Sequence, residues 1–126
     1  MLVKRLLQIN LLVSAIIAIA FIVVPRPTLA LYGISGDKIL YTIAQYFGTA
    51  HVTFAILLWF ALRKNEPQLL RMIVISFFAG DLSGSLVLLI AQIGGQMNSS
   101  GWALVGLSML FATGYGYGAW RKLPVS

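Results

Sequence analysis

The sequence predicts an all-α fold, a four-transmembrane-helix bundle with both termini cytoplasmic, and three observations carry that expectation. Hydrophobic residues make up 60% of the 126-residue chain and charged residues only 10%, whereas roughly a quarter of the residues in water-soluble domains are charged. The mean hydropathy is +0.92. The apolar residues gather in four runs, 6–24, 39–62, 72–93 and 102–120, each near the ~20 residues a helix needs to cross the hydrocarbon core. A transmembrane barrel would alternate apolar and polar residues, but residues 11–20 and 86–90 are almost continuously apolar. With only short connections between runs, residues 1–126 read as a single integral membrane domain, with helices over 6–24, 39–62, 69–93 and 102–120.

The first run follows Lys4 and Arg5 and is 19 residues long. That exceeds the usual 7 to 15 residue core of a signal peptide, so it reads as a retained first helix ending before Pro25 and Pro27. Gln8, Asn10 and Ser14 lie in its cytoplasmic half and receive no role. The connection 25–38 mixes Pro25, Pro27, Gly33 and Gly36 with Leu29, Leu31, Tyr32 and Ile34, a composition expected to rest at the outer interface. Arg63 and Lys64 suit the C-terminal end of the second helix. Asn65 or Glu66 then caps the third, with Pro67 near its first position. The connection 94–101 is polar and is followed by Trp102 as an interface anchor. The fourth helix carries no charged side chain. Its Gly106, Gly114 and Gly118 share one stripe, expected to pack closely within the bundle or between protomers, and Tyr115, Tyr117 and Trp120 fit an interfacial aromatic belt.

Orientation follows from the basic residues. Lys4, Arg5, Arg63, Lys64, Arg71, Arg121 and Lys122, seven of the nine, fall on the side of the termini and of the second connection, which the positive-inside rule makes cytoplasmic. The net charge of +6 then reports topology and attraction to anionic lipid. Nucleic acid is not an expected partner, because the basic residues stand singly or in pairs at helix ends. The absence of cysteine rules out disulfides, thiolate metal sites and a cysteine nucleophile. A multi-pass protein of a bacterial-type inner or plasma membrane is the expected setting.

Two ionisable residues stand deep in the apolar runs, His51 in the second and Asp81 in the third. On the mildest scale a charged Asp at the bilayer centre costs about 2.5 to 3.5 kcal/mol, so a partner, ligand or proton must offset it. Counted from the shared turn, the two lie at nearly one depth on neighbouring antiparallel helices and can meet if both point inward. Helical spacing places Gly48 beside His51, and Gly80, Gly84 and Ser85 beside Asp81; Gly48, Gly80 and Gly84 are expected to serve close helix packing, though such small residues also leave room for water or a flat ligand. Gln45, Thr49, Thr53, Ser83 and Gln92 are available to complete hydrogen bonds.

Three readings of this pair remain open: interhelical glue, a proton, ion or polar-ligand site formed by His51, Asp81, Gln45 and Ser85, or axial ligation of a haem or chlorophyll-type macrocycle by His51. One His and one Asp do not make a metal cluster. Ser83 and Ser85 lack a nucleophile motif, so no catalytic residue is assigned and an enzyme is not expected.

A first helix ending in Pro, then Leu31, Tyr32 and Gly33, a second helix with mid-span Gly48, a basic turn, a third helix with mid-span Asp81, and Asn98, Gly101 and Trp102 leading into the fourth together resemble the DoxX-like small four-helix membrane proteins. The resemblance covers the layout of the whole chain and implies the fold. It also implies an accessory or scaffold subunit, assembled with other membrane subunits or with itself in the lipid bilayer. The pair His51 and Asp81 does not come from that resemblance. A small proton-linked transporter or carrier using both residues is the alternative, and a pigment- or haem-binding protein using His51 the second.

Overall fold

The computed structural model describes residues 2–121; Lys122 lies outside them. Five helices follow in order: α1 (Leu2–Val23), α2 (Pro25–Ala30), α3 (Lys38–Lys64), α4 (Pro67–Ile93) and α5 (Gly101–Trp120). Among the described residues there is no strand. Three of the helices, α1, α3 and α4, are long and apolar enough to cross a membrane. The fourth long helix, α5, has 20 residues and no charged side chain, but its glycines, tyrosines and tryptophans lower its hydropathy.

Helix ends follow local chemistry. Asp37 caps α3, its carboxylate accepting from the Leu40 amide at 3.1 Å, the usual way to satisfy a free first-turn donor. Asn65 ends α3 in the left-handed conformation, with φ 52°, and Glu66 and Pro67 start α4 at once. The connection 25–38 differs from a plain interfacial loop. Pro25 and Pro27 open the short helix α2, where a first-turn proline loses no hydrogen bond. Asn98 then ties the two outer loops together: its amide N–H donates to the Tyr32 carbonyl at 2.9 Å, and its side chain donates to the Leu31 carbonyl at 3.0 Å.

The long helices pack as two close pairs, α1 with α3 and α4 with α5, and the pairs touch each other more sparsely. Gly48 of α3 lies against Phe21, Ile22 and the Ala18 carbonyl of α1. Gly114 and Gly118 of α5 lie against Leu6 and Val3 of α1, and Gly116 against Phe78 of α4. One core joins all four, with Leu7, Leu58, Val74 and Tyr115 fully buried. It sits at the end of the bundle that holds both ends of the described chain and the α3–α4 turn. Although α3 and α4 are joined by only two residues, they separate along their length; Phe54 and Phe77 meet edge-on across the gap at 5.5 Å.

The glycines consequently divide into two groups. A Cβ on Gly48 would stand 2.9 Å from Ile22 and 3.2 Å from the Ala18 carbonyl, whereas one on Gly80 or Gly84 would meet nothing within 4 Å. Gly48→Val is expected to lower unfolding stability by about 1 to 3 kcal/mol through overpacking. Gly80→Ala and Gly84→Ala should be neutral or stabilising by up to about 1 kcal/mol, from helix propensity. Denaturant midpoints in detergent micelles would check both.

Candidate functional site

Where α3 and α4 part, the bundle holds a cavity of about 650 Å³, open on one side, to which all four long helices contribute. That volume lies within the range of small-molecule sites. Its wall is mostly apolar, with Phe47 and Phe54 from α3, Phe77 from α4 and Phe111 from α5. His51 and Asp81 both line it, as do Gly80 and Gly84, so these glycines widen the chamber instead of bringing helices together. Gln45 stands apart, donating from Nε2 to the Ile22 carbonyl at 3.0 Å along the α1–α3 seam. Ser85 is buried behind the wall; its hydroxyl donates to the Asp81 carbonyl at 2.6 Å and lies 3.1 Å from the Ser108 hydroxyl of α5.

His51 and Asp81 occupy the same level. Phe54 and Phe77, which meet across the gap, are 11 residues from Asn65 and Glu66; His51 and Asp81 are 14 and 15 residues from the same two. The offset is about one helical rise, ~1.5 Å. They are nevertheless not joined by a hydrogen bond or ion pair. The imidazole turns back along its own helix, with Nδ1 3.2 Å from the Phe47 carbonyl, and its ring packs edge-on against Phe47 at 4.5 Å and Phe54 at 5.2 Å. A carbonyl only accepts, so Nδ1 carries the proton and Nε2 of the neutral ring is an acceptor. Asp81 Oδ2 is buried and has no hydrogen-bond partner within the protein. A proton held directly between the two side chains therefore has no geometric basis.

Two residues given no role from sequence, and one placed in the wrong setting, complete the site. Asn10 is buried on α1 and donates from Nδ2 to the Tyr115 hydroxyl oxygen at 2.7 Å, while the Ser14 hydroxyl donates to Asn10 Oδ1 at 3.2 Å. Tyr115 belongs to the core, fully buried, and not to an interfacial belt; Tyr117 and Trp120 on the same helix are exposed. Edge-on contacts continue the aromatic wall, from Phe21 to Phe47 at 5.2 Å, and Phe77 lies 5.7 Å from Tyr115. An Asn one turn before a Ser on the first helix, opposite a tyrosine in a glycine-rich helix, was the available signal. Linear sequence alone does not pair those two helices.

Comparison of the chain with protein-family models, with curated proteins and with solved structures finds no match. Among the described residues there is no group of three or more His, Asp or Glu able to hold a metal ion.

The side-chain bonds separate stabilising polar groups from the carboxylate. Asn10→Ala and Tyr115→Phe each break the α1–α5 bond and should cost about 1 to 3 kcal/mol, with the double variant costing less than the sum. Asp81→Leu removes no hydrogen bond, so stability should be unchanged or raised. A loss above about 1 kcal/mol in the same unfolding assay would show that the Asp81 carboxyl holds helices together.

Proposed function

We propose that this chain is a four-span integral membrane protein with both termini on the cytoplasmic face, and that it is a small proton-linked carrier whose intramembrane site is built on Asp81 and His51. Alternating directions of α1, α3, α4 and α5 and the clustering of basic residues at one end support the topology. Membrane association itself rests on the three long apolar helices. The observation that carries the functional reading is Asp81 itself, a carboxyl that lines the cavity and whose buried Oδ2 has no hydrogen-bond partner.

A carboxylate inside hydrocarbon is stable only with a compensating positive charge, either a proton on the carboxyl or a cation against it. Glue does not account for this group. An interhelical lock needs a bond across helices, and neither Asp81 nor His51 makes one from its side chain. The accessory-subunit reading, which gives both residues a packing role, is correspondingly weaker. The macrocycle reading keeps one supporting feature: His51 Nδ1 is engaged by a backbone carbonyl, the arrangement that frees Nε2 for a metal.

Reconstitution into vesicles with an entrapped pH dye tests the assignment. Wild-type protein should dissipate an imposed pH gradient faster than protein-free vesicles. Asp81→Asn should slow that flux at least about tenfold, equivalent to 1.4 kcal/mol, with helical content retained by circular dichroism. Equal flux in wild type and Asp81→Asn would refute the carrier reading. An absorption band above 300 nm in the purified protein that disappears in His51→Ala would move the assignment to a macrocycle.

A further inference from the structure

We infer that the cavity takes a hydrophobic primary amine in its ammonium form, entering sideways from the lipid between α3 and α4; the inference rests on the carrier reading and names its cargo class. Hydrogen-bond direction on the cavity wall leads to this class. A serine hydroxyl has one proton to give, and each serine on the wall gives it to another protein group. Ser76 donates to the Met72 carbonyl at 2.8 Å, Ser83 to the Ala79 carbonyl at 2.9 Å, and Ser108 to the Val105 carbonyl at 3.0 Å. Ser14 donates to Asn10 Oδ1. The imidazole of His51 spends its Nδ1 proton on Phe47, leaving the lone pair of Nε2.

These serines and His51 therefore offer a guest oxygen and nitrogen lone pairs, and Asp81, which lines the cavity, adds a carboxyl whose buried Oδ2 has no partner, against one spare amide N–H on Asn10. Such a wall is matched by a donor-rich cation. Among the described residues no Lys or Arg side chain lines the cavity, so none of them competes for Asp81 there. The faces of Phe47, Phe54, Phe77 and Phe111 suit both halves of such a guest, attracting the ammonium by their quadrupoles and covering its apolar body. An anion finds few donors on this wall and no positive charge to pair with. A neutral alcohol leaves Asp81 protonated and gains no ion pair, whereas an ammonium pairs with the carboxylate.

The route follows from the separation of α3 and α4. Phe47 of α3 and Val87 of α4, at similar distances from the shared turn, line the cavity yet are 49% and 66% exposed at the bundle surface. In a bilayer that opening faces acyl chains, into which an amphiphilic amine partitions with its apolar body first. Seating the ammonium against Asp81 displaces the proton that otherwise neutralises the carboxyl, so one proton leaves for each cation bound. Among the described residues, His51 of α3 is the titratable group that lines the chamber with Asp81, and Tyr115 of α5 lies nearby, buried in the core. From α1 the facing polar groups are Asn10 and Ser14, which do not titrate.

Isothermal titration of the full chain in lipid nanodiscs, with protein-free nanodiscs subtracted, tests the inference using 1-naphthylmethylamine, 1-naphthylmethanol and 1-naphthylacetate. The amine should bind, and the alcohol and the carboxylate should bind at least about tenfold more weakly. Repetition in buffers of different ionisation enthalpy should show about one proton released per amine. Asp81→Asn should weaken amine binding at least about tenfold and abolish the proton release, and Val87→Trp, placed at the side opening, should slow amine association without changing helical content. Equal binding of all three probes, or amine binding unaltered in Asp81→Asn, would overturn the cargo assignment. If none of the probes binds while Asp81→Asn still slows proton flux, the amine class is wrong and the carrier reading stands. If Asp81→Asn alters neither binding nor flux, both fall.

Discussion

The four long helices meet in one place, the cluster around Leu7, Leu58, Val74 and Tyr115, and the rest of the bundle depends on its position near one end. Lipid supplies no hydrophobic drive for helices to associate, so close packing and interhelical hydrogen bonds must hold them. Both act here. Gly114 and Gly118 let α5 approach α1, and the Asn10 to Tyr115 bond fastens the same two helices from inside. The two-residue turn holds α3 and α4 together at this end as well. Beyond the cluster, contact is strong within the pairs α1–α3 and α4–α5 and sparse between them. The cavity is the consequence of that unequal packing.

Polar side chains elsewhere in the spans solve the problem of the apolar environment locally. Thr42, Ser76, Ser83 and Ser85 return their hydroxyl protons to a carbonyl one turn earlier, and His51 does the same with Nδ1. This device requires a proton to donate, because helix carbonyls only accept. An ionised carboxylate has none. Asp81 is thus the one residue type in these spans that cannot be satisfied by its own helix, and its chemistry must be completed from across the cavity or from outside the protein.

Much of the candidate site was legible in linear sequence and some of it was not. Counting from a short turn put His51 and Asp81 at one depth, because helical rise is nearly constant and the turn fixes the origin; the Phe54 to Phe77 contact reflects the same register. Whether the two bond depends on helix separation, and α3 and α4 diverge. Gln45 was available to complete hydrogen bonds at the pair but joins α1 instead. Asn10 looked inconsequential because a polar residue near a helix end is cheap, and Tyr115 looked interfacial because it stands among Tyr117 and Trp120. Their bond joins residues 105 apart in sequence, which no local pattern encodes.

Composition alone determined that this chain is helical and suited to a membrane. Charge at the helix ends, the Asn65, Glu66 and Pro67 turn and the lengths of the apolar runs set the expected ends of the long helices, since these depend on backbone chemistry within a few residues; α1 nonetheless begins at Leu2, with Lys4 and Arg5 inside it. The sequence also singled out Asp81 and His51, because a potential charge inside hydrocarbon is costly wherever it points. Only the tertiary structure decided which helices pair, and with that which glycines make contacts and which make space. Gly48 meets α1, while Gly80 and Gly84 open onto the cavity. A glycine stripe permits close approach without compelling it, so the difference arises from packing among residues far apart in the chain.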